Sequence, residues 1–201
     1  MPDLSILLPH KPGPSNDKAL KLAIDSIIKY TPVYSYELLI DNTTPGDPYQ
    51  IWNEMAKMAR GETLVFTNSD VIFAPGWDMM ALYTVPNVIV TGYIVEPGNI
   101  GVAPVNITRD FGKHPDNFRE SEFHTFINKH GALEVKTERG WYMPCTMQRE
   151  WFLTTGGFPT DKPFPEPNDI RFWDYCRDTL GTEFKRVRSY SYHFQNQSGR
   201  E

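Results

Sequence analysis

Short apolar runs alternate with stretches of helical periodicity through the first third of the chain. Runs of strand length lie at 4–8, 37–40 and 64–66. Between them, apolar residues recur at helical spacing over 17–30, and a second helix is predicted over 47–60 with the aspartate at its start as N-cap. A β-α-β-α-β order with short connections predicts parallel strands that helices cover.

The rest of the chain has fewer clearly periodic segments. Residues 96–140 are rich in Gly, Pro and Asn and are predicted as loops with one helix. Ser15 and Asn16 are the candidate caps of the first helix. The further predicted elements are a helix at 77–82, a strand at 88–95, a helix at 120–129, a strand at 141–147, a helical turn at 149–153, a helix at 170–180 and a strand at 184–192.

Polar residues follow several of the predicted strands. Asp41 ends the second apolar run, and Asp70 comes shortly after the third, which places it at a strand's carboxyl edge. Ligands of open α/β sheets bind beyond that edge, so Asp70 is a candidate for holding a metal-bound phosphate. The alternative is a turn role, since Asp is a common turn residue. Asp169 and His193 also stand at predicted element ends.

Length and composition narrow the class of protein. The 201 residues, 40% hydrophobic and 22% charged, suit one folded domain. A net charge of -5 argues against broad non-specific nucleic-acid binding. Cys145 and Cys176 are too few for a disulfide scaffold or a cysteine-built zinc site, and we expect them to be reduced core residues. No apolar run reaches the roughly 18 residues that span a bilayer, and no secretory pattern opens the chain, so a cytoplasmic location is expected.

Seven segments form a pattern when they are taken together in chain order. They are 5–9, 38–42, Asn53 with 59–62, 68–70, 156–161, 168–173 and His193. This pattern resembles that of the family 2 glycosyltransferases of the GT-A fold, with Asn68-Ser69-Asp70 at the D-x-D position. The resemblance implies an α/β fold of three layers, α/β/α and Rossmann-like, with a mostly parallel mixed central sheet. It also implies a single domain over 1–201, in which residues 1–95 bind the nucleotide-sugar and residues 96–201 bind the acceptor and carry catalysis.

Two residues depart from the pattern of this family. Asn68 replaces the first acid of D-x-D, and Asn168 replaces the acid that precedes Asp169. An amide contributes no charge to a metal or catalytic site. Both departures favour the alternative hypothesis, a non-catalytic nucleotide- or sugar-binding module that keeps the fold.

The resemblance also implies where the donor and the metal bind. The donor would be a nucleotide-sugar, expected to be a UDP-sugar, and Asp70 with His193 would ligate a divalent cation. Mixed oxygen and nitrogen ligation suits Mn²⁺, with Mg²⁺ as the alternative. The donor-binding residues expected from the resemblance are Pro9, His10, Lys11, Asp41, Asn68, Ser69 and Asp70.

By the same resemblance, Asp169 is the general base that deprotonates an acceptor hydroxyl, with inversion at the anomeric carbon. Glu166 is near enough in sequence to be the alternative base. Trp141 and Trp173 are candidates for stacking on sugar rings, although tryptophan is commonly a core residue.

The acceptor is expected to be a glycan precursor. A modified base of phage-type DNA is the less favoured acceptor, and the run 185–188, Lys-Arg-Val-Arg, offers a small basic patch for it, with a solvated strand face as the ordinary interpretation. A nucleotidylyltransferase is disfavoured because residues 9–13 match a Gly-rich, basic phosphate loop poorly.

Overall fold

A single mixed sheet forms the centre of the computed structural model, which describes residues 1–42, 47–98, 107–129, 143–162 and 167–194. The strands are β1 Leu4–Pro9, β2 Tyr36–Asp41, β3 Thr63–Phe66, β4 Val71–Phe73, β5 Val88–Glu96, β6 Ile107–Thr108, β7 Cys145–Gln148 and β8 Glu183–His193. Their order across the sheet is β2-β1-β3-β7-β5-β8-β4, and β6 pairs with β5. The pairs β1–β2, β1–β3, β5–β6 and β5–β8 are parallel, and the other three are antiparallel.

Helices connect and cover these strands. They are α1 Pro14–Tyr30, α2 Pro48–Met58, α3 Met79–Leu82, α4 Glu120–Lys129, α5 Arg149–Thr154 and α6 Asn168–Asp178, with a short 3-10 helix at Pro115–Asn117. Asp47 caps α2 as predicted, because its side chain accepts a hydrogen bond from the Tyr49 N–H at 2.9 Å. None of the helices within the described part of the chain has the length and apolar character needed to span a membrane.

Side chains alternate between the two faces at the centre of the sheet. Leu7, Leu64 and Phe66 pack on one face with apolar residues of α2, α5 and α6. Their neighbours Ile6 and Val65 pack on the other face with residues of α1 and α3. This period of two, with helices on both sides, confirms the predicted three-layer α/β/α fold with a mixed sheet.

Several predicted boundaries were wrong. The first helix starts at Pro14 with Gly13 at its N-cap, and the hydroxyl of Ser15 instead bonds His114 Nε2 at 2.8 Å. Asn16 likewise donates to the Lys11 carbonyl and caps nothing. The strand β4 was not predicted, because three apolar residues carry no periodicity of their own and pair only with the distant β8.

Candidate active site

Three strand ends bring two carboxylates and an imidazole together. β4 begins directly after Asp70, β5 ends at Glu96 and β8 ends at His193. In the pairing register Val71 lies opposite His193, and Val95 lies opposite Tyr192. Asp70 is therefore in the loop between β3 and β4, past the carboxyl end of β3 as predicted.

The distances within this cluster are short. His193 Nδ1 lies 2.7 Å from Glu96 Oε1, a hydrogen bond, and His193 Nε2 lies 3.4 Å from Asp70 Oδ2, an ion-pair distance. Asp70 is 2% exposed and Glu96 is 3% exposed. Within the described residues, neither side-chain oxygen of Asp70 has a hydrogen-bond partner, and neither does His193 Nε2.

The charge state of His193 follows from these neighbours. Burial alone lowers the pKa of an imidazole, but the carboxylates of Asp70 and Glu96 outweigh it and raise the pKa of His193 to about 10. Two buried carboxylates thus favour a positive charge between them.

The cluster has the residues for a divalent cation. No group of three or more His, Cys, Asp or Glu side chains with the spacing of a complete metal site occurs in the described part of the chain. The two buried Asp70 oxygens without hydrogen bonds and the adjacent His193 Nε2 still fit a cation that takes its remaining ligands from phosphate and water. Asp70 and His193, the predicted ligands, would hold it.

A second hydrogen-bonded chain runs beside this cluster. Ser69 Oγ lies 3.2 Å from His10 Nδ1, and His10 Nε2 lies 2.8 Å from Asp17 Oδ1. The His10 backbone N–H donates to the Asp41 carbonyl at 2.8 Å. The hydrogen bond from His10 and that from the Gly13 N–H lower the pKa of Asp17. Because both ring nitrogens are engaged, His10 fixes the loop that carries Ser69 and Asp70.

The other predicted donor-binding residues lie along the same edge. Pro9 and Asp41 are register partners at the carboxyl ends of β1 and β2. Lys11 is exposed in the following loop. Asn68 is half-buried, and its carbonyl accepts a hydrogen bond from the Val71 N–H at 3.3 Å.

Asp169 occupies the first turn of α6, close enough to Tyr49 of α2 and Cys145 of β7 to affect their ionisation. Burial and the Asp169 carboxylate, to which the Tyr49 hydroxyl donates, raise the pKa of Tyr49 far above its usual range. Burial and the same charge also raise the pKa of Cys145, which lies opposite Phe66 at the end of β3. Asp169 is therefore near the strand end that leads to Asp70. Neither a hydrogen bond nor an ion pair joins Asp169 to Asp70 or His193 within the described ranges.

The departure at Asn168 has a local physical cause. Asn168 is fully buried, and its amide donates to Asp47 Oδ2 at 3.3 Å and to the Lys162 carbonyl at 3.1 Å. Its oxygen accepts from Arg171 at 2.8 Å. A carboxylate at this position would face the Asp47 carboxylate and a carbonyl oxygen, so an amide is the favoured group.

Four other predicted features have different outcomes. Glu166 and Trp141 lie outside the described residues. Trp173 is buried in the core beside α2 and is not on the surface where a sugar would stack. Arg186 is 1% exposed and its guanidinium lies over the Tyr93 ring at 5.6 Å, so the predicted basic patch at 185–188 does not form as a surface run.

No protein-family model and no curated protein matches the sequence. Solved structures with a similar fold were nevertheless found. The crystal structure of GalNAc-T7 with UDP, GalNAc and Mn²⁺ aligns over 96% of this chain and 44% of its own, with TM-score 0.66 and 14% identity. That of S. aureus TarS 1-349 aligns over 95% of this chain and 60% of its own, with TM-score 0.59 and 13% identity. The chain has a GT-A-like fold. It spans about half the length of these two structures.

Sequence reasoning missed one residue of the cluster in this GT-A-like fold. Glu96 follows the apolar run 88–95 directly, just as Asp41 follows the second run. The rule that selected Asp41 and Asp70, an acid at the end of a buried strand, would have found it. Tyr49 was also missed, because nothing in its local sequence indicates its contact with Asp169.

Proposed function

We propose that this chain is a glycosyltransferase that moves a sugar from a nucleotide-sugar, a UDP-sugar, to an acceptor hydroxyl with inversion. The observation that carries the proposal is Asp70, a buried carboxylate without hydrogen bonds, next to His193 Nε2 and past the carboxyl end of β3. Ligands of open α/β sheets bind at such strand ends. Two further findings support the proposal. The chain has a GT-A-like fold, and the similar GalNAc-T7 was crystallised with UDP, GalNAc and Mn²⁺.

The donor would lie across the carboxyl ends of β1, β2 and β3. Asp41 and the loop of Pro9, His10 and Lys11 would contact the nucleoside, and Lys11 would meet a phosphate. Asn68 and Ser69 would orient the ribose or phosphate. A divalent cation, Mn²⁺ or Mg²⁺, held by Asp70 and His193 would stabilise the negative charge that develops on the diphosphate.

In the reaction, Asp169 would take the proton of the acceptor hydroxyl. The acceptor oxygen forms a bond to the anomeric carbon while the bond from that carbon to the diphosphate oxygen breaks, and the electron pair leaves with the diphosphate. Tyr49 would hold the Asp169 carboxylate in place through its hydroxyl. Glu166 is the alternative base, and a glycan precursor is the proposed acceptor ahead of a DNA base.

The second candidate is a binding module without turnover, which Asn68 favours because it removes one acid from the D-x-D position. Asn168 favours it less, since its amide has the structural role described above. The two functions differ in whether bound donor is consumed.

The test is a thermal-shift screen of nucleoside diphosphates with and without Mn²⁺, followed by an assay of UDP-sugar turnover. We expect UDP with Mn²⁺ to raise the Tm, since a ligand at 100 times its Kd stabilises by about 2.7 kcal/mol. Binding followed by sugar transfer or hydrolysis supports the enzyme, and binding without consumption of any UDP-sugar supports the module. Absence of binding for every nucleotide at millimolar concentration, with or without metal, overturns the enzyme and the nucleotide-binding form of the module.

A further inference from the structure

Glu96 lies behind His193 on the neighbouring parallel strand. Its carboxylate is almost fully buried and accepts the hydrogen bond of His193 Nδ1 at 2.7 Å. A buried carboxylate costs several kcal/mol of desolvation unless charged or hydrogen-bonded groups compensate for it. A residue needed only for packing would be apolar at this depth, and the short contact of the Glu96 carboxylate with Nδ1 indicates a role that involves the imidazole.

An irregularity in the sheet sets this contact. Between two register pairs, β5 advances from Thr91 to Tyr93 while β8 advances from Arg186 to Tyr190, so β8 contains two extra residues. Gly92 permits the bulge, because a Cβ there would lie 2.5 Å from the Ser189 carbonyl oxygen. Without the extra residues, Glu96 would lie beside Ser191 and not beside His193. Bulges that redirect a side chain are common next to functional sites.

The contact also decides which nitrogen faces the proposed cation. A cation can be ligated only by the neutral imidazole, so its binding requires the loss of one ring proton. With Nδ1–H donated to Glu96, the proton that leaves is that of Nε2, and the lone pair is then on the atom beside Asp70. We propose that Glu96 is a positioning residue that holds His193 in the tautomer and ring orientation in which Nε2 ligates the divalent cation. This inference rests on the proposed function and names a residue that acts through His193 without touching the metal.

The experiment is calorimetric titration of Mn²⁺ into the full chain saturated with UDP, for wild type, Glu96→Gln, His193→Ala and the double variant. Outer partners of a metal-binding histidine contribute 10- to 100-fold to metal affinity, so we expect Glu96→Gln to weaken Mn²⁺ binding by about that factor. In the His193→Ala background, Glu96→Gln should cause no further loss, because its effect passes through the imidazole. Glu183→Gln, at the opposite end of β8, is the matched control and should bind as wild type does.

A second measurement needs no variant at position 96. Nitrogen NMR of ¹⁵N-histidine-labelled wild type with UDP and Mg²⁺ should find His193 protonated on Nδ1 only, with Nε2 shifted by the cation. Protonation on Nε2 overturns the proposal, and so does wild-type Mn²⁺ affinity in folded Glu96→Gln or an additive loss in the double variant. Wild type that binds no Mn²⁺ with UDP overturns the metal site of the proposed function itself, whereas normal binding in Glu96→Gln overturns only the role of Glu96.

Discussion

At the scale of single residues, both side-chain oxygens of Asp70 are buried without hydrogen bonds in the described structure, so they are available as ligands for a divalent cation. We expect Asp70→Asn to abolish metal-dependent UDP binding and to leave the fold intact, because the amide keeps the shape and removes the charge. Calorimetry with UDP and Mn²⁺, alongside circular dichroism, checks this. Unchanged metal-dependent affinity in a folded variant would remove Asp70 from the ligands.

If Asp169 is the general base, its substitution should lower turnover and leave donor binding nearly unchanged. A general base acts mainly in the transition state, so Asp169→Asn should lower kcat by about 10²- to 10⁴-fold with little change in donor affinity. Steady-state kinetics on one donor and acceptor pair measures both. Glu166→Gln is the control and should be much milder; near-normal kcat in Asp169→Asn with a collapse in Glu166→Gln would move the role to Glu166.

At the scale of elements, the turn after α5 combines two glycines with different surroundings. Gly156 and Gly157 have φ of +86° and +80°, and a Cβ on Gly157 would lie 2.5 Å from Asn53 Oδ1, whereas Gly156 faces open space. Asn53 bonds both the N–H and the carbonyl of Phe158, at 2.9 and 2.8 Å, and so joins α2 to this turn.

Alanine at the two positions should therefore differ in cost. Gly156→Ala is expected to lower the free energy of unfolding by about 1–2 kcal/mol, the cost of left-handed backbone. Gly157→Ala adds displacement of Asn53, whose two hydrogen bonds contribute about 0.5–1.5 kcal/mol each. Urea denaturation of the pair measures the difference, and equal costs would contradict the role given to Asn53.

At the scale of the whole molecule, Tyr192 joins the last strand to the segment before α4. Its hydroxyl donates to the Gly112 carbonyl at 2.7 Å and accepts from the Phe111 N–H at 3.1 Å, and it is fully buried. Burial raises the pKa of Tyr192 to about 12. An unfolded tyrosine ionises near pH 10, so un-ionised Tyr192 contributes to the stability of the folded chain below that pH. This contribution is lost as the pH rises from about 10 to about 12.

Tyr192→Phe should thus have a pH-dependent effect. Near neutral pH the variant is expected to be about 1–3 kcal/mol less stable, because two buried backbone groups lose their partner. As the pH rises past about 10, wild type loses the stability that un-ionised Tyr192 contributes, and the variant has no such contribution to lose. The difference in free energy of unfolding should therefore narrow. Urea denaturation at a series of pH values follows it. A gap that is constant up to about pH 11 would show that Tyr192 ionises equally in both states.

Local sequence determined the elements whose apolar residues recur with the period of a helix or a strand. The helix predicted at 120–129 is confirmed as α4, and β1, β2 and β3 lie where short buried apolar runs predicted them. These elements could be predicted because burying one face imposes a period of 3.6 or 2 on the residues themselves. The order of motifs also pointed to the GT-A fold, which the similar solved structures confirm.

Only the tertiary structure decided which residues meet. β4 and β6 are too short for a period and exist through pairing, β4 with the remote β8 and β6 with the preceding β5. Glu96 and His193 are 97 positions apart, and a bulge in β8 determines their contact. No local pattern encodes the register between remote strands, because the register depends on the packing of both strands at once. The sequence therefore indicated Asp70 and His193 one at a time, and the fold made them neighbours, with Glu96 behind.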